Sequence, residues 1–121
     1  MLKYKIKTAW FKVFDSLESA EAEIKPLQLK TITVASKNVC LTRTSEGFFG
    51  ISSRCPHQGG PLDQGVCTPE GKIICPWHHY QFDLKTGRDK AGHHAQLYPV
   101  LVKEDGVYVG VEKGYWSLFG L

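Results

Sequence analysis

Short apolar segments separated by turn residues recur along most of this chain. The clearest is GVYVGVE at 106–112, where valine occupies every second position, and YQFDL at 80–84 alternates in the same way. KNVCLTRT at 37–44 and GFFGIS at 47–52 predict two further strands joined by a short turn. Alternation with a period of two is typical of strands that bury one face. Asp105–Gly106 predicts a hairpin turn before the last strand, and the pattern as a whole predicts antiparallel, all-β structure.

One segment near the start has a different period. Asp15 followed by Glu18 resembles a helix capping box, and Pro26 prevents a helix from continuing past it. The apolar positions between them recur at helical spacing: Leu17, Ala20 and Ile24. A helix of about nine residues is marginal on its own, so the segment is predicted equally as a short helix or as an irregular connector.

The composition narrows the function classes. A chain of 121 residues with 42% hydrophobic and 22% charged residues can bury a core, and its length suits one domain. The net charge of +3 is spread thinly, so we expect no nucleic-acid partner. Lysines interrupt the start too often for a secretory signal, and no apolar run is long enough to span a membrane. We therefore expect a cytoplasmic protein without a membrane partner.

The strongest chemical motif is a pair of cysteine–histidine loops. CPHQGG begins at Cys55 and places His57 two residues later, and CPWHHY begins at Cys75 and places His78 three residues later. In a reducing compartment, closely spaced cysteine and histidine indicate metal more often than disulfides. Structural zinc sites generally pair cysteine with cysteine and histidine with histidine, whereas each loop here has one of each. The mixed loops favour a two-iron cluster approached from two sides and leave zinc as the alternative.

The two loops resemble those of Rieske 2Fe-2S proteins. The resemblance includes the four candidate ligands, the proline after each cysteine, the GGPL that follows the first pair and the CPWHHYQFDLKTG of the second. It implies a Rieske-like antiparallel barrel or sandwich with a cluster-binding loop subdomain. We expect one Rieske domain over residues 1–121, with a base barrel from about 1–54 and 84–112, a cluster-binding subdomain at about 55–83 and an apolar tail at 113–121.

The resemblance also implies the cofactor and its ligands. Cys55 and Cys75 would bind the inner iron of one 2Fe-2S cluster, and His57 and His78 the outer iron near the protein surface. Two neutral imidazoles in place of two thiolates raise the reduction potential above that of an all-cysteine cluster.

Two departures predict a potential near the low end of the Rieske range. High-potential relatives join their ligand loops by a disulfide, at positions that correspond to Gly60 and Trp77. They also direct serine and tyrosine hydroxyls at sulfur, at positions that correspond to Tyr80 and Phe82, and phenylalanine has no hydroxyl. Hydrogen bonds to sulfur raise such potentials.

The remaining candidate residues are given plainer interpretations. Cys40 is expected to be a small buried hydrophobic residue and Cys67 a hairpin residue between the ligand loops. His79 is not expected to be a ligand, with a proton relay or a partner contact as the alternative, and Trp77 and Tyr80 are expected to shield the cluster. The pair His93 and His94 is expected in a solvent loop, with a docking surface or a second, weaker metal site as the alternative.

The tail KGYWSLFGL, residues 113–121, is unusually apolar for the end of a chain. We expect it to pack back across the barrel. The alternative is a surface for a partner or for self-association.

The function that the resemblance implies is one-electron transport without a substrate site of the chain's own. The chain would pass electrons from a flavin reductase to a terminal oxygenase or similar oxidoreductase, as ferredoxin components of ring-hydroxylating dioxygenase systems do. It has no G-x-G-x-x-G dinucleotide motif. One alternative is the small Rieske-like subunit of an assimilatory nitrite reductase, and another, from a different class, is a zinc-stabilised binding module.

Overall fold

The computed structural model describes residues 2–56 and 59–118, and this part of the chain is mostly antiparallel β-structure. The predicted all-β fold is therefore confirmed. In chain order the elements are β1 Leu2–Phe14, α1 Leu17–Glu23, β2 Leu29–Val34, β3 Lys37–Thr44, β4 Gly47–Ser52, a 3-10 helix Leu62–Gln64, β5 Val66–Cys67, β6 Lys72–Ile74, β7 Gln81–Asp83, β8 Leu97–Tyr98, β9 Val100–Lys103 and β10 Gly106–Leu118. In these ranges no helix is long and apolar enough to cross a membrane.

The strands form three sheets, in the orders β1-β10-β9, β2-β3-β4-β8 and β5-β6-β7. Every strand pair is antiparallel. The strands predicted at 37–44 and 47–52 have these bounds in the structure, the one at 80–84 contains β7, and the one at 106–112 continues to Leu118. The smallest sheet holds the hairpin between the two cysteine–histidine loops.

Strand β3 is buried on both faces and separates two apolar cores. Cys40 faces a core that also contains Cys55, Cys75 and Phe82. Its neighbours Val39 and Leu41 face the other core, which also contains Ile24 after α1 and residues of β2 and β10. Full burial of a large apolar side chain such as that of Phe82 contributes roughly 1.5–3 kcal/mol. The ligand loops therefore rest on a packed core rather than on mobile loops.

The segment after β1 is a helix, but its cap differs from the prediction. The cap is Ser16, whose Oγ accepts a hydrogen bond from the Ser19 backbone N–H at 3.1 Å, while the Ser19 hydroxyl accepts one from the Ser16 N–H at 3.2 Å. The predicted capping box of Asp15 and Glu18 was wrong by one residue, because serine at both box positions makes the reciprocal bonds as well. Ala20 is fully buried, which fixes this short helix against the sheets.

The last hairpin turn also lies one residue earlier than predicted. Lys103 pairs with Gly106, so Glu104 and Asp105 form the turn and Gly106 begins β10. Glycine is required at 106 for space, because a Cβ there would lie 2.7 Å from the Phe14 carbonyl oxygen, and its φ of 152° is unfavourable for other residues.

We expected the tail to pack back across the sheets, and for residues 113–118 this prediction is wrong. Residues 113–118 continue β10 and pair in register with residues 2–7 of β1. Apolar side chains in this segment stay exposed, including Trp116 and Leu118. The long β1 offers the tail a backbone partner, and this pairing keeps it extended. Phe119 and Leu121 lie outside the described residues.

Candidate metal centre

The two cysteines of the motif begin loops that lie at matching places in the fold. Cys55 follows β4 and Cys75 follows β6, and their residues are 3% and 1% exposed. Both belong to the same apolar core, together with Phe82 and Leu62. The four cysteines of the chain are free of disulfides in the structure. Two thiols that are distant in sequence are therefore held in one water-poor region.

The backbones of the two loops follow one hydrogen-bonding scheme. The N–H of Cys55 donates to the carbonyl of Gly60 at 2.7 Å, and the N–H of Cys75 donates to the carbonyl of Tyr80 at 2.8 Å. The carbonyl of Cys55 accepts from the Gly59 N–H, and that of Cys75 accepts from the His79 N–H. Each cysteine is thus fixed by two backbone bonds to residues four and five positions later. Proline follows each cysteine and further restricts the loop.

The residue four positions after each cysteine has a left-handed backbone. Gly59 has a φ of 72° and His79 a φ of 59°. Glycine adopts this conformation at little cost, whereas histidine does so with strain of about 1 kcal/mol. The scheme is thus imposed by the hydrogen bonds and the packing, even where the side chain does not favour it.

The first loop approaches the second at Gly60. A Cβ on Gly60 would lie 3.1 Å from the Cys75 Sγ and 3.0 Å from the nearest atom of the Trp77 indole. The positions that carry the disulfide in high-potential relatives, by the resemblance above, are therefore neighbours here as well. In this chain the contact is an indole packed over a glycine, close to the Cys75 thiol. Trp77 is itself 57% exposed, so it covers the thiol on the solvent side.

Histidine 78 lies at the surface of the same loop. Its residue is exposed, in contrast to the buried Cys75 three positions earlier. The His78 and Tyr80 rings lie nearly parallel, with centroids 6.4 Å apart. His57, the remaining candidate ligand, lies outside the described residues. The structure thus places Cys55 and Cys75 in one buried core and His78 at the surface of the second loop.

A buried carboxylate that the sequence did not single out supports the second loop. The side chain of Asp89 is 2% exposed, and its oxygens accept hydrogen bonds from the His93 backbone N–H at 2.7 Å and the His93 Nδ1 at 2.9 Å. The His93 ring packs edge-on against Tyr80, with centroids 4.9 Å apart. Burial alone would raise the pKa of Asp89, but the hydrogen bonds from His93 outweigh it and hold this pKa below its ordinary value.

The prediction of a solvent loop for the histidine pair is therefore only partly correct for His93, whose side chain is 29% exposed and bonded to Asp89. His94 is exposed, as expected. The sequence signal for the contact between Asp89 and His93 was their spacing of four residues within a turn.

The other two cysteines are buried, as predicted. Cys40 is fully buried, and burial, with smaller contributions from Asp63 and Cys67, raises its pKa to about 12. Burial also raises the pKa of Cys67, which pairs with Ile73 in the small sheet. Both lie in strands outside the two cysteine–histidine loops and serve as small packing residues. Cys55 and Cys75, which begin the loops, are the candidate thiolate ligands.

The donor types of the two loops fit a 2Fe-2S cluster. Thiolate and imidazole both bind the irons of such clusters, and the described residues provide two buried cysteines and one exposed histidine. Within the ranges that the structure describes, no group of three or more histidine, cysteine or acidic side chains converges on one point.

A comparison with protein families gives the assignment. The family described as Rieske [2Fe-2S] domain matches residues 10–102. The chain belongs to this family. Its cofactor is accordingly one Rieske-type 2Fe-2S cluster.

Curated relatives include both a large protein and small ferredoxins. Human apoptosis-inducing factor 3 is 30% identical over 105 residues, which is 82% of this chain but only 17% of that protein. The 3-phenylpropionate/cinnamic acid dioxygenase ferredoxin subunit of Photorhabdus laumondii is 30% identical over 69 residues, 54% of this chain and 66% of that subunit. The Rieske chain thus spans under a fifth of the human relative and about two thirds of the bacterial one.

Two solved structures have the same fold. The ferredoxin of carbazole 1,9a-dioxygenase from Nocardioides aromaticivorans is 26% identical, with a TM-score of 0.71 over 84% of this chain and 96% of that one. A putative NADH-dependent nitrite reductase small subunit from Mycobacterium tuberculosis gives a TM-score of 0.73 over 87% and 96%, at 16% identity. At that identity the second likeness shows the fold alone.

Proposed function

We propose that this Rieske protein is a one-electron carrier whose cluster is bound by Cys55, His57, Cys75 and His78. Cys55 and Cys75 bind the inner iron, and His57 and His78 bind the outer one. The bound cluster accepts and releases single electrons. We assign the cluster-binding subdomain to about 55–83, and the base to about 1–54 and 84–112 of a single domain.

The observation that carries the proposal is the opposite exposure of the ligands within one hydrogen-bonded loop. Cys75 is 1% exposed, whereas His78, three residues later, lies at the surface. Buried thiols keep water from the inner iron, and an exposed imidazole offers a short route for an electron to a docked protein. A carrier needs both properties, because it must hold its cluster through many encounters and exchange electrons at each.

The support of the loops also suits electron transfer. Each cysteine is fixed by two backbone hydrogen bonds, and the core under them contains Phe82 and Ile73, both fully buried. Loops fixed in this way change little when the charge of the cluster changes. A small rearrangement between redox states keeps transfer fast.

We further propose a potential near the low end of the Rieske range of about −150 to +300 mV. Phe82 is buried beside the cysteines and has no hydroxyl to donate to sulfur. Gly60 and Trp77 make a packing contact in place of a disulfide. Without these two devices, less electron density is withdrawn from the cluster.

The partners follow from the ferredoxin relatives. The chain would take its electron from a flavin reductase and pass it to a terminal oxygenase or a similar oxidoreductase, as a component without its own substrate site. We place it in the cytoplasm. The nitrite reductase alternative is supported by a likeness that shows only the fold, and family membership favours iron–sulfur over the zinc-stabilised module.

An electron count followed by a relay assay tests this function. The holoprotein is titrated anaerobically with dithionite while its visible absorbance is recorded, and one electron per chain is expected. The reduced protein is then mixed in a stopped-flow instrument with the oxygenase component of a ring-hydroxylating dioxygenase, and its absorbance should recover within the turnover time. Uptake of no electron, or reduction without reoxidation by any oxygenase or sirohaem enzyme, would contradict the carrier function.

A further inference from the structure

The two ends of the chain form an arm, residues 2–7 paired with residues 113–118. Leu2 pairs with Leu118, Tyr4 with Trp116 and Ile6 with Gly114 in an unbroken antiparallel register. Strand β9 pairs with β10 only at 106–109. The arm is therefore a two-stranded extension of the base sheet beyond its third strand.

The two faces of the arm have opposite chemistry. Residues that pair directly across an antiparallel ribbon share a face, and neighbours along each strand alternate. One face is apolar, with residues between 52% and 67% exposed: Leu2, Tyr4, Ile6, Trp116 and Leu118. The other face is basic, with four lysines: Lys3, Lys5, Lys7 and Lys113.

The apolar face is a formed surface rather than a collection of loose side chains. The rings of Tyr4 and Trp116 meet edge to face, with centroids 5.0 Å apart. Tyr4 lies across Gly114, where a Cβ would overlap its ring and hydroxyl. Glycine at 114 therefore lets the tyrosine lie flat on the ribbon and extend the aromatic surface.

The exposed apolar area reaches the size of a functional patch. Tyr4 and Trp116 are aromatic side chains of about 150–250 Å² each and the three aliphatic ones are smaller, so the five residues at these exposures give on the order of 500 Å² of apolar surface. The largest apolar patch on a typical monomer is about 300–600 Å² and is often functional. Two such faces in contact would bury about 1,000 Å², the lower limit for a specific interface.

We propose that this face packs against the same face of a second copy of the chain, giving a two-fold dimer. The faces are identical and apolar, as an isologous contact requires. In this dimer the lysine faces of both copies point outward, because the apolar faces meet. Sheets stack about 10 Å apart, so the two rows of lysines are separated by more than the Debye length of about 8 Å.

The charge arrangement disfavours two other arrangements of the arm. Edge-to-edge pairing of two β1 strands would place both rows of lysines on one continuous face, where they repel each other. Insertion into an anionic membrane would place the lysines on the far side of the ribbon, about 10 Å from the headgroups that attract them. Of these arrangements, face-to-face stacking gives the smallest electrostatic penalty from the lysines.

The proposed dimer contact and the candidate metal centre lie on different elements of the fold. Cys55, Cys75 and His78 lie on loops after β4 and β6, whereas the arm belongs to β1 and β10. Each dimer would therefore carry two clusters.

Sedimentation equilibrium of the full-length holoprotein, from about 1 µM to about 1 mM, tests the proposal. The expected mass approaches twice 13.6 kDa at the upper end. The Ile6→Thr/Trp116→Thr variant keeps β-branched residues in the strands, and we expect it to weaken dimerisation by at least roughly tenfold. The Tyr115→Thr variant is the matched control, because Tyr115 is an exposed aromatic residue on the lysine face of the same strand.

Each result decides for or against the contact. A wild-type dimer that is insensitive to about 0.5 M salt, lost in the double variant and kept in the control, supports it. A wild-type protein that is monomeric at every concentration overturns it, and so does a dimer equally stable in both variants. Binding of the monomeric protein to phosphatidylcholine/phosphatidylserine vesicles would assign the face to a membrane instead. Visible absorbance of the cluster confirms that each variant is folded. Dissociation of the wild-type dimer on dilution is a second test, and it does not depend on any variant.

Discussion

The two ligand loops share one scheme of backbone hydrogen bonds at their cysteines and differ in side chains. In both, the cysteine is held by bonds to the fourth and fifth residues after it. The first loop has glycine at these two positions, whereas the second has His79 and Tyr80. The first loop is therefore able to approach the second closely, and the second covers the site with bulky side chains.

The division of roles has a physical basis. Gly60 lies where any side chain would press on Cys75 and Trp77, so the first loop must be thin. The second loop contributes Trp77 and Tyr80 to cover the cysteines, and it carries His79 in a left-handed conformation. The two loops are complementary parts of one site, and changes at matching positions should have unequal effects.

Replacement of a ligand cysteine should have the largest effect on the site. Cys75→Ser removes a buried thiolate donor, and we expect loss of bound iron and sulfide together with the visible absorbance. Cys67→Ser is the matched control, since Cys67 is also buried but lies in β5, outside the two ligand loops. Iron assay of both purified variants measures the difference. Retention of two irons in Cys75→Ser would contradict its assignment as a ligand.

A bulky residue in the thin loop should have the next largest effect. Gly60→Leu must displace Trp77 or the Cys75 thiol, and overpacking of this kind costs roughly 1–3 kcal/mol of unfolding free energy. Trp77→Ala in the same chain opens the space and should recover part of that loss. A double-mutant cycle by denaturant unfolding measures the coupling, and additive effects would mean that the two positions do not press on each other.

The left-handed positions should respond with opposite signs. A Cβ at Gly59 meets no atom within 4 Å, so Gly59→Ala should lower the unfolding free energy by about 1 kcal/mol through backbone strain alone. His79→Gly relieves such strain but makes the unfolded chain more flexible, so it should raise the free energy by less than about 1 kcal/mol. If His79→Gly instead destabilises as much as Gly59→Ala, the His79 side chain has a stabilising contact of its own.

The smallest effect on stability is expected from replacing Asp89, whose partner His93 packs against Tyr80 of the second loop. His93 holds the pKa of Asp89 below its ordinary value of 3.8, so the stabilisation by the carboxylate is present above that pH and is lost as the pH falls below it. Asp89→Asn should therefore lower stability at neutral pH, and the difference from the wild type should shrink below about pH 4. Urea unfolding across the acid range measures it; a difference that stays constant there would exclude the ionised carboxylate as its cause.

Local patterns predicted most of the strands but not the contacts between distant residues. The alternation at 37–44 and 47–52 is dictated by burial of one or both faces, which the sequence expresses directly. The contact of Gly60 with Cys75 joins residues that are far apart in the chain, and only the folded backbone brings them together. The helix cap and the last turn were each wrong by one residue, because neighbouring serine, aspartate and glycine residues offer competing local hydrogen bonds.

The candidate ligands were predicted because their spacing is short and specific. Asp89 was not predicted, because a single aspartate in a polar loop is ordinary in sequence and becomes unusual only when its side chain is buried. The arm was mispredicted for a related reason. The apolar character of 113–118 suggested burial in the core, whereas the strand pairing with 2–7 decides its position.

We propose that His57 and His78 bind one iron of a 2Fe-2S cluster whose other iron is bound by Cys55 and Cys75. Low-temperature pulsed electron paramagnetic resonance of the dithionite-reduced protein, with histidine labelled in ¹⁵N, tests it most directly. We predict a signal whose average g-value lies below that of the free electron and which is coupled to two histidine nitrogens that shift with the label. A signal without coupling to labelled histidine, or a colourless protein that contains zinc and gives no signal, would contradict the account.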